Sequence, residues 1–408
     1  MKNITTLTWI FMFLFSFKTI AQESTRFQRQ SFEVENNKPK ILKSESPITS
    51  ISFKITYDQL LTGFWIETAD ERFEIKPDAH NPEHSELIVF SKPISEFKIT
   101  SNGFRGVLTM DKIYVKPLLL PKTTERGSKI GADCEKPTVI PASTWRAGIT
   151  PPKELPVQTV TKHIIVHHAA GSNTATNYTD VVRNIYTFHT RTNGWNDVGY
   201  NFLIAQDGTI YEGRDGQNIM DGDNVLGAHF CSQNGGTMGI CLLGDYMTAQ
   251  PTDKSLESLA KLMAWKLKKE KIEPLSTGLH TASGRNLKNI SAHRDGSCAT
   301  NCPGDNIYAK LEQIRQNTAS SCDFSKPLAF EDDLDILPKI YPNPSNGKVW
   351  VSSPNAKSEI ILLDGLGREI SIDKQSEGNR KWSFSTNGLS SGVYFIRVEG
   401  KTSKLVIE

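Results

Sequence analysis

The sequence lacks what would tie it to a bilayer or a nucleic acid. Past its first twenty or so residues, no apolar run is long enough to span a membrane. Neither sign of charge is in excess: 47 Lys and Arg stand against 45 Asp and Glu, a net of +2 with histidine neutral. That is too little to imply a nucleic-acid partner, although a faintly basic surface would suit an anionic wall polymer. Low complexity is also missing. With 38% hydrophobic and 23% charged residues, the composition is that of folded domains rather than a disordered chain. At 408 residues, two to four domains are expected.

The N-terminus reads "MKNITTLTWIFMFLFSFKTIAQ". Lys2 precedes an apolar stretch from Leu7 to Phe17, and Thr19-Ile20-Ala21 offers small residues for cleavage. The run is too short for a membrane span, so residues 1–21 read as a signal peptide and the mature chain as exported, with no transmembrane segment. Export permits disulfides among the six cysteines, Cys134, Cys231, Cys241, Cys298, Cys302 and Cys322.

Texture then divides the chain. Residues 22–48 are polar, rich in Lys, Glu and Ser, and read as a linker. From 49 to 120 come short runs rich in β-branched and aromatic residues, such as "ISFKITYDQL" and "GVLTMDKIYV". They predict a small β-sandwich with no catalytic constellation, its Phe64 and Trp65 serving as core. Residues 134–322 alternate strand and helix patterns, which implies a central mixed sheet flanked by helices. "TVTKHIIVHH" is a strand. "YTDVVRNIYTFHTRTN" is a helix capped by Thr179 or Asp180. "YNFLIAQDGTIYEGR" is a hairpin turning at Gln206-Asp207-Gly208, and "TMGICLLG" is a fully buried strand. "DKSLESLAKLMAWKLKKEKI" is an amphipathic helix with Leu256, Leu259, Leu262, Met263 and Leu267 inward and lysines outward. An acidic linker at 323–338 leads to an all-β module at 339–408.

Metal-ligand side chains recur in the central region: His167-His168 at a strand end, His293 in "ISAHRDGS" and Cys302 in "ATNCPGD". Two imidazoles and a thiolate suit zinc, and three protein ligands leave a position open for an acidified water. Successive strand residues face opposite ways, so only one of His167 and His168 can reach the metal. Period alone does not choose between them. Two other arrangements use the same residues: a closed zinc site of His293, Cys298 and Cys302 with His280, or a Cys298–Cys302 disulfide.

"HIIVHHAA", "GWNDVGYNFLIAQDGTIYEGR", "GAHFCSQNGGTMGICLLGDY", "ISAHRDGS" and "TNCPGD" occur in the order found in zinc N-acetylmuramoyl-L-alanine amidases of the second type. That family includes the peptidoglycan recognition proteins and phage amidases. The resemblance covers about residues 138–318. It implies hydrolysis of the amide between N-acetylmuramic acid and the L-alanine of the peptide stem. It makes His167, His293 and Cys302 the zinc ligands. Tyr200 then orients the metal water or the oxyanion, and Thr300 donates to that oxyanion. His229, Trp195 and Arg214 contact the muramyl peptide. The His293–Cys302 spacing is one residue longer than usual in the family, which weakens the Thr300 role. Members that only bind peptidoglycan usually lack the zinc cysteine; this chain has it, so the resemblance favours an enzyme over a non-catalytic recognition protein.

If Cys302 holds zinc, five cysteines remain and at least one is unpaired. Cys134 and Cys322 bracket the domain and would staple it. Cys231 and Cys241 could pair with each other, or one of them with Cys298. In the last module, "YPNPSNG", "DGLGREI" and "SGVYFIRVEG" resemble the C-terminal sorting domain of type IX secretion. That implies the type IX machinery as a partner and passage through the periplasm to the outside or the outer cell surface.

Overall fold

The structure, a computed structural model, describes residues 25–54, 63–78, 81, 83–120, 134–324, 340–352, 359–365, 367–377, 381–398 and 401–408. The expected signal peptide and nearly all of the acidic linker lie outside them. The chain divides into two units, Met1–Ser325 and Lys326–Glu408.

The first unit opens with a six-stranded antiparallel sheet: β1 (Thr25–Val34), β2 (Lys40–Lys54), β3 (Phe64–Glu67), β4 (Arg72–Glu74), β5 (Ile88–Ser101) and β6 (Gly106–Val115), in the order β1-β6-β2-β5-β3-β4. Two expectations are corrected here. Residues 22–48 are not a linker over 25–34 and 40–48. β1 pairs with β6 along ten residues, from Thr25↔Val115 to Val34↔Gly106, although within it only Phe32 and Val34 are buried. An edge strand needs few apolar residues because its partner supplies the backbone hydrogen bonds. And the region is one sheet rather than a two-sheet sandwich. Its core joins Phe32 at one end of the strand order to Phe64 and Phe73 at the other, so the sheet coils round its own interior.

The second sheet is mixed, in the order β14-β8-β11-β9-β10-β7. Its strands are β7 (Val139–Ile140), β8 (His163–His168), β9 (Phe202–Ile204), β10 (Ile210–Glu212), β11 (Thr237–Leu242) and β14 (Ile290–Ala292). A separate ribbon pairs β12 (Thr277–His280) with β13 (Arg285–Lys288). β8 lies parallel between β11 and β14, and every residue of β8 and β11 is buried, as covered parallel strands require. One face carries α3 (Asp253–Lys269) and α5 (Leu311–Ser320), packed on Ile164, Val166, Ile240 and Leu242. The other carries α2 (Tyr178–Thr187) and the N-terminal sheet. Leu87, Val89, Ile113 and Val115 share one core with Trp145, Val182, Tyr200 and Cys241.

Local chemistry accounts for the helix ends. Asn177, rather than Thr179 or Asp180, caps α2 by accepting Asp180 N–H, while Asp180 itself accepts Leu118 N–H from beyond β6. In α3 the lysines do not all face water. Lys266 is fully buried, and its ammonium bonds Asp223 at 2.5 Å, Asn224 at 2.9 Å and Glu270 at 2.7 Å. Three acceptors offset the desolvation that keeps lone lysines at surfaces.

The second unit holds two four-stranded sheets. One comprises β15 (Ile340–Tyr341), β16 (Lys348–Ser352), β19 (Gln375–Ser376) and β20 (Lys381–Ser385). The other comprises β17 (Ile360–Leu363), β18 (Glu369–Ile370), β21 (Gly392–Val398) and β22 (Lys401–Ile407). Val349, Val351 and Phe384 from the first meet Leu362, Ile396 and Leu405 from the second in one core, a small sandwich.

Candidate metal centre

Strand register brings the ligands together. Ala292 pairs with Val166, so one residue further on His293 arrives beside His167 at the carboxyl ends of two parallel strands. Ile164 and Val166 point to the α3/α5 face, so alternation sends His168 that way and His167 to the opposite face. A short helical turn (His293–Asp295) and a loop then return the chain to Cys302. The ligand atoms of His167, His293 and Cys302 lie within 4.8 Å of one another.

Hydrogen bonds fix which nitrogen of His167 faces the site. Thr237 Oγ1 donates to Asn234 C=O at 2.8 Å, which uses its only proton. It can therefore only accept from His229 Nε2, 3.3 Å away. That leaves His229 Nδ1 as an acceptor for His167 Nε2–H at 3.0 Å, and turns the lone pair of His167 Nδ1 to Cys302 Sγ, 3.5 Å away. A neutral imidazole held in the tautomer a metal needs is a fit to a cation in its own right. His229 was expected to touch substrate. It is instead 1% exposed and stands behind His167, in a notch left by two glycines. A Cβ on Gly227 or Gly239 would come within 2.5 or 2.6 Å of its ring.

Cys302 Sγ accepts His168 N–H at 3.4 Å, so the second histidine of the pair serves the centre through its backbone. Its ring turns away, with Nδ1 accepting Tyr246 N–H at 3.2 Å. Burial pushes the Cys302 thiol well up, so a thiolate there calls for a compensating cation. The alternatives for these residues do not occur. Cys298 is bonded to Cys231, Cys134 to Cys322, and Cys241 and Cys302 are free. His280 bonds Ser283 and Gly235 instead. The Cys231–Cys298 disulfide packs against His293, its sulfurs 3.5 and 3.3 Å from Nε2.

Tyr200 sets its ring 5.2 Å from that of His167; burial drives its phenol pKa far up, with the neighbouring Cys241 and Cys302 adding to the rise. Trp195 is half-buried with its ring tilted against that of His189, centroids 4.7 Å apart, and the His189 ring lies 5.8 Å from that of Tyr200. His189 sits on a π-helical turn, Phe188–Thr192, that extends α2; its Nδ1 accepts Gly199 N–H at 3.1 Å. Sequence reasoning missed it; an imidazole six residues before a tryptophan was the available signal. Arg214 interacts with Asp197, whose carboxyl is pushed up to about 6 by burial against the N–H bonds of Asp215 and Val198. Thr300 makes a contact other than the expected one: its hydroxyl oxygen accepts Cys302 N–H at 3.1 Å.

Comparison with known proteins locates two families along the chain. Residues 157–305 match the N-acetylmuramoyl-L-alanine amidases, and residues 339–408 match secretion system C-terminal sorting domains. Peptidoglycan-recognition protein SC2 of Drosophila melanogaster is 32% identical over 176 residues, 43% of this chain and 84% of that protein. Peptidoglycan-recognition protein LE of the same fly is 33% identical over 141 residues, which is 34% of this chain but only 39% of that relative. Among solved structures, wild-type Drosophila PGRP-LB aligns at 29% identity over 43% of this chain and 92% of its own, with a TM-score of 0.35.

Proposed function

The chain belongs to the family of type 2 N-acetylmuramoyl-L-alanine amidases and peptidoglycan-recognition proteins, and on that premise we propose that it is a secreted, zinc-dependent amidase of peptidoglycan. The bond cut is the amide between the lactyl group of N-acetylmuramic acid and the L-alanine of the stem. The hydrogen-bond relay that turns His167 Nδ1 toward Cys302 carries the reading, because a module that only binds peptidoglycan has no need of it. The C-terminal sorting domain supports delivery to the outside or the cell surface through the type IX machinery.

His167, His293 and Cys302 would hold the zinc, which supplies a water acidified toward a pKa of about 7 and a Lewis acid for the amide carbonyl. His229 keeps His167 in its tautomer, and His168 N–H gives the Cys302 sulfur a donor. Burial keeps the Tyr200 phenol protonated, so it can donate to the carbonyl oxygen as that oxygen gains charge. The water oxygen bonds to the carbonyl carbon, the C–N bond breaks, and the alanine nitrogen leaves with a proton as an amine. Thr300 acts by shaping the turn that presents Cys302. Trp195, with Arg214, contacts the muramyl peptide.

Purified walls incubated with the protein should yield new L-alanine amino groups, and a chelator or Cys302→Ser should abolish them. Tyr200→Phe should retain metal and lose most turnover. Tight binding to walls with zinc present and no amine released would make the chain a non-catalytic recognition protein instead.

A further inference from the structure

We propose that the N-terminal sheet is a built-in cover of this site and that the chain as folded is latent; the proposal rests on the amidase reading for what the site does. The residues of the centre are almost wholly buried. His167 and His293 are fully buried, and Tyr200 and Cys302 are each 5% exposed. A polymer amide cannot reach the carbon-attacking position beside those atoms without something moving.

Residues of the connection from β4 to β5 stand beside them. Its Asp78 is close enough to act electrostatically on both Tyr200 and Cys302, and Glu86 on Cys302. The connection is fastened at two of its residues, to two loops beside the centre. Lys76 Nζ reaches Asp245 Oδ2 at 3.6 Å, past the end of β11. Asn81 Nδ2 donates to Asn193 Oδ1 at 3.0 Å, at the end of the π-helical turn that carries His189. In the turn before β4, Glu71 Oε1 accepts from Ser172 at 3.2 Å and Thr174 at 2.7 Å, which ties the sheet itself to the loop that leaves β8. Lys76 and Asn81, tied to different loops of the site, and Asp78 and Glu86, close to its atoms, place these residues of the connection at its mouth.

The two kinds of contact differ in strength. The sheet as a whole is docked through apolar residues in a shared core. The ends of the connection are fixed, Ile75 in the sheet's own core and Leu87 in the shared one, whereas Lys76 and Asn81 are held by polar contacts at the rim, where water replaces a lost partner at little cost. Lys76, Asp78 and Asn81 can therefore lift while the sheet and both ends of the connection stay in place. A wall hydrolase that carries a sorting domain must cross the compartment holding its own cell's wall, and the closed state is the one that can cross without cutting it.

Three full-length proteins test this: the natural chain, a loosened Lys76→Ala/Asn81→Ala form, and a locked Asn81→Cys/Asn193→Cys form with its new disulfide closed. The first readout is alkylation of Cys302 by iodoacetamide in metal-stripped protein, located by peptide mass spectrometry. The second is amine release from purified walls by zinc-loaded protein. Loosening should raise both about tenfold, and locking should take both below the natural chain. Misfolding could raise labelling but would not lower it in the locked form. Equal Cys302 labelling in all three overturns the cover. Labelling that rises with loosening while no form releases amine leaves the cover standing and removes the amidase reading.

Discussion

Two all-β regions flank the α/β domain, and they relate to their surroundings in opposite ways. The C-terminal sandwich draws its core from its own strands and is a compact unit by itself. The N-terminal sheet keeps one core for itself and gives Leu87, Val89, Ile113 and Val115 to another that it shares with α2 and with Tyr200. Its polar groups follow the same pattern. Thr49 and Ser50 hydroxyls both bond Asn184 Oδ1, at 2.7 and 2.8 Å. A sorting tag must be readable whatever it is attached to, and a self-contained fold suits that. A region that shares a core with a candidate metal centre is built into it.

A charge placed in each core should separate them most sharply. Ile113→Asp should cost the first unit about 3–5 kcal/mol and lower the melting of the mixed sheet along with that of the N-terminal sheet. Val351→Asp should cost the sandwich a similar amount and leave the first unit's transition where it was. Calorimetry resolves the two transitions; a first unit that melts in separate steps for its two sheets would break the comparison.

Metal makes the second test. Zinc at 100 times its dissociation constant should stabilise the first unit by about 2.7 kcal/mol and leave the sandwich transition unmoved. His229→Ala should weaken zinc binding about 10–100-fold by releasing His167 from its tautomer, and the thermal shift should shrink with it. His168→Ala keeps the backbone N–H that bonds Cys302, so its shift should stay near that of the natural chain. The reverse order for the two histidines would refute the facing assigned to β8.

These contrasts also mark what could be read from residues alone. His167, His293 and Cys302 were legible because local motifs carry them, and period-2 alternation already made the adjacent histidines unequal. The direction of the Thr237–His229–His167 relay was not, since it depends on one carbonyl, Asn234, that has no side-chain signature. β1 was taken for linker because its pairing is a backbone property that composition does not record. Lys266 looked like a surface lysine because Asp223, its partner, is 43 residues away. The cover was the least visible of all: Asn81 and Asn193 are 112 positions apart, and neither belongs to a motif.

The smallest effect concerns Glu86, in the same connection. Burial lifts its carboxyl from an ordinary 4.5 to about 8, with Asp78, Asp245 and Glu74 adding to the rise and Lys76 opposing it. Between those values the folded chain keeps a proton that the unfolded chain has released. Stability from this group is therefore full below about pH 4.5 and is lost as pH rises through 8. Between pH 5 and 7 the first unit should lose ~2 kcal/mol that Glu86→Gln does not lose, while the sandwich shows no difference between the two proteins. Because the group lies over the centre rather than in the sheet's private core, the same deprotonation should favour lifting of the cover. Cys302 alkylation in metal-stripped protein should then climb more steeply with pH in the natural chain than in Glu86→Gln, after correction for the thiol's own ionisation. Parallel pH profiles would separate Glu86 from the cover and leave it a buried acid of the sheet alone.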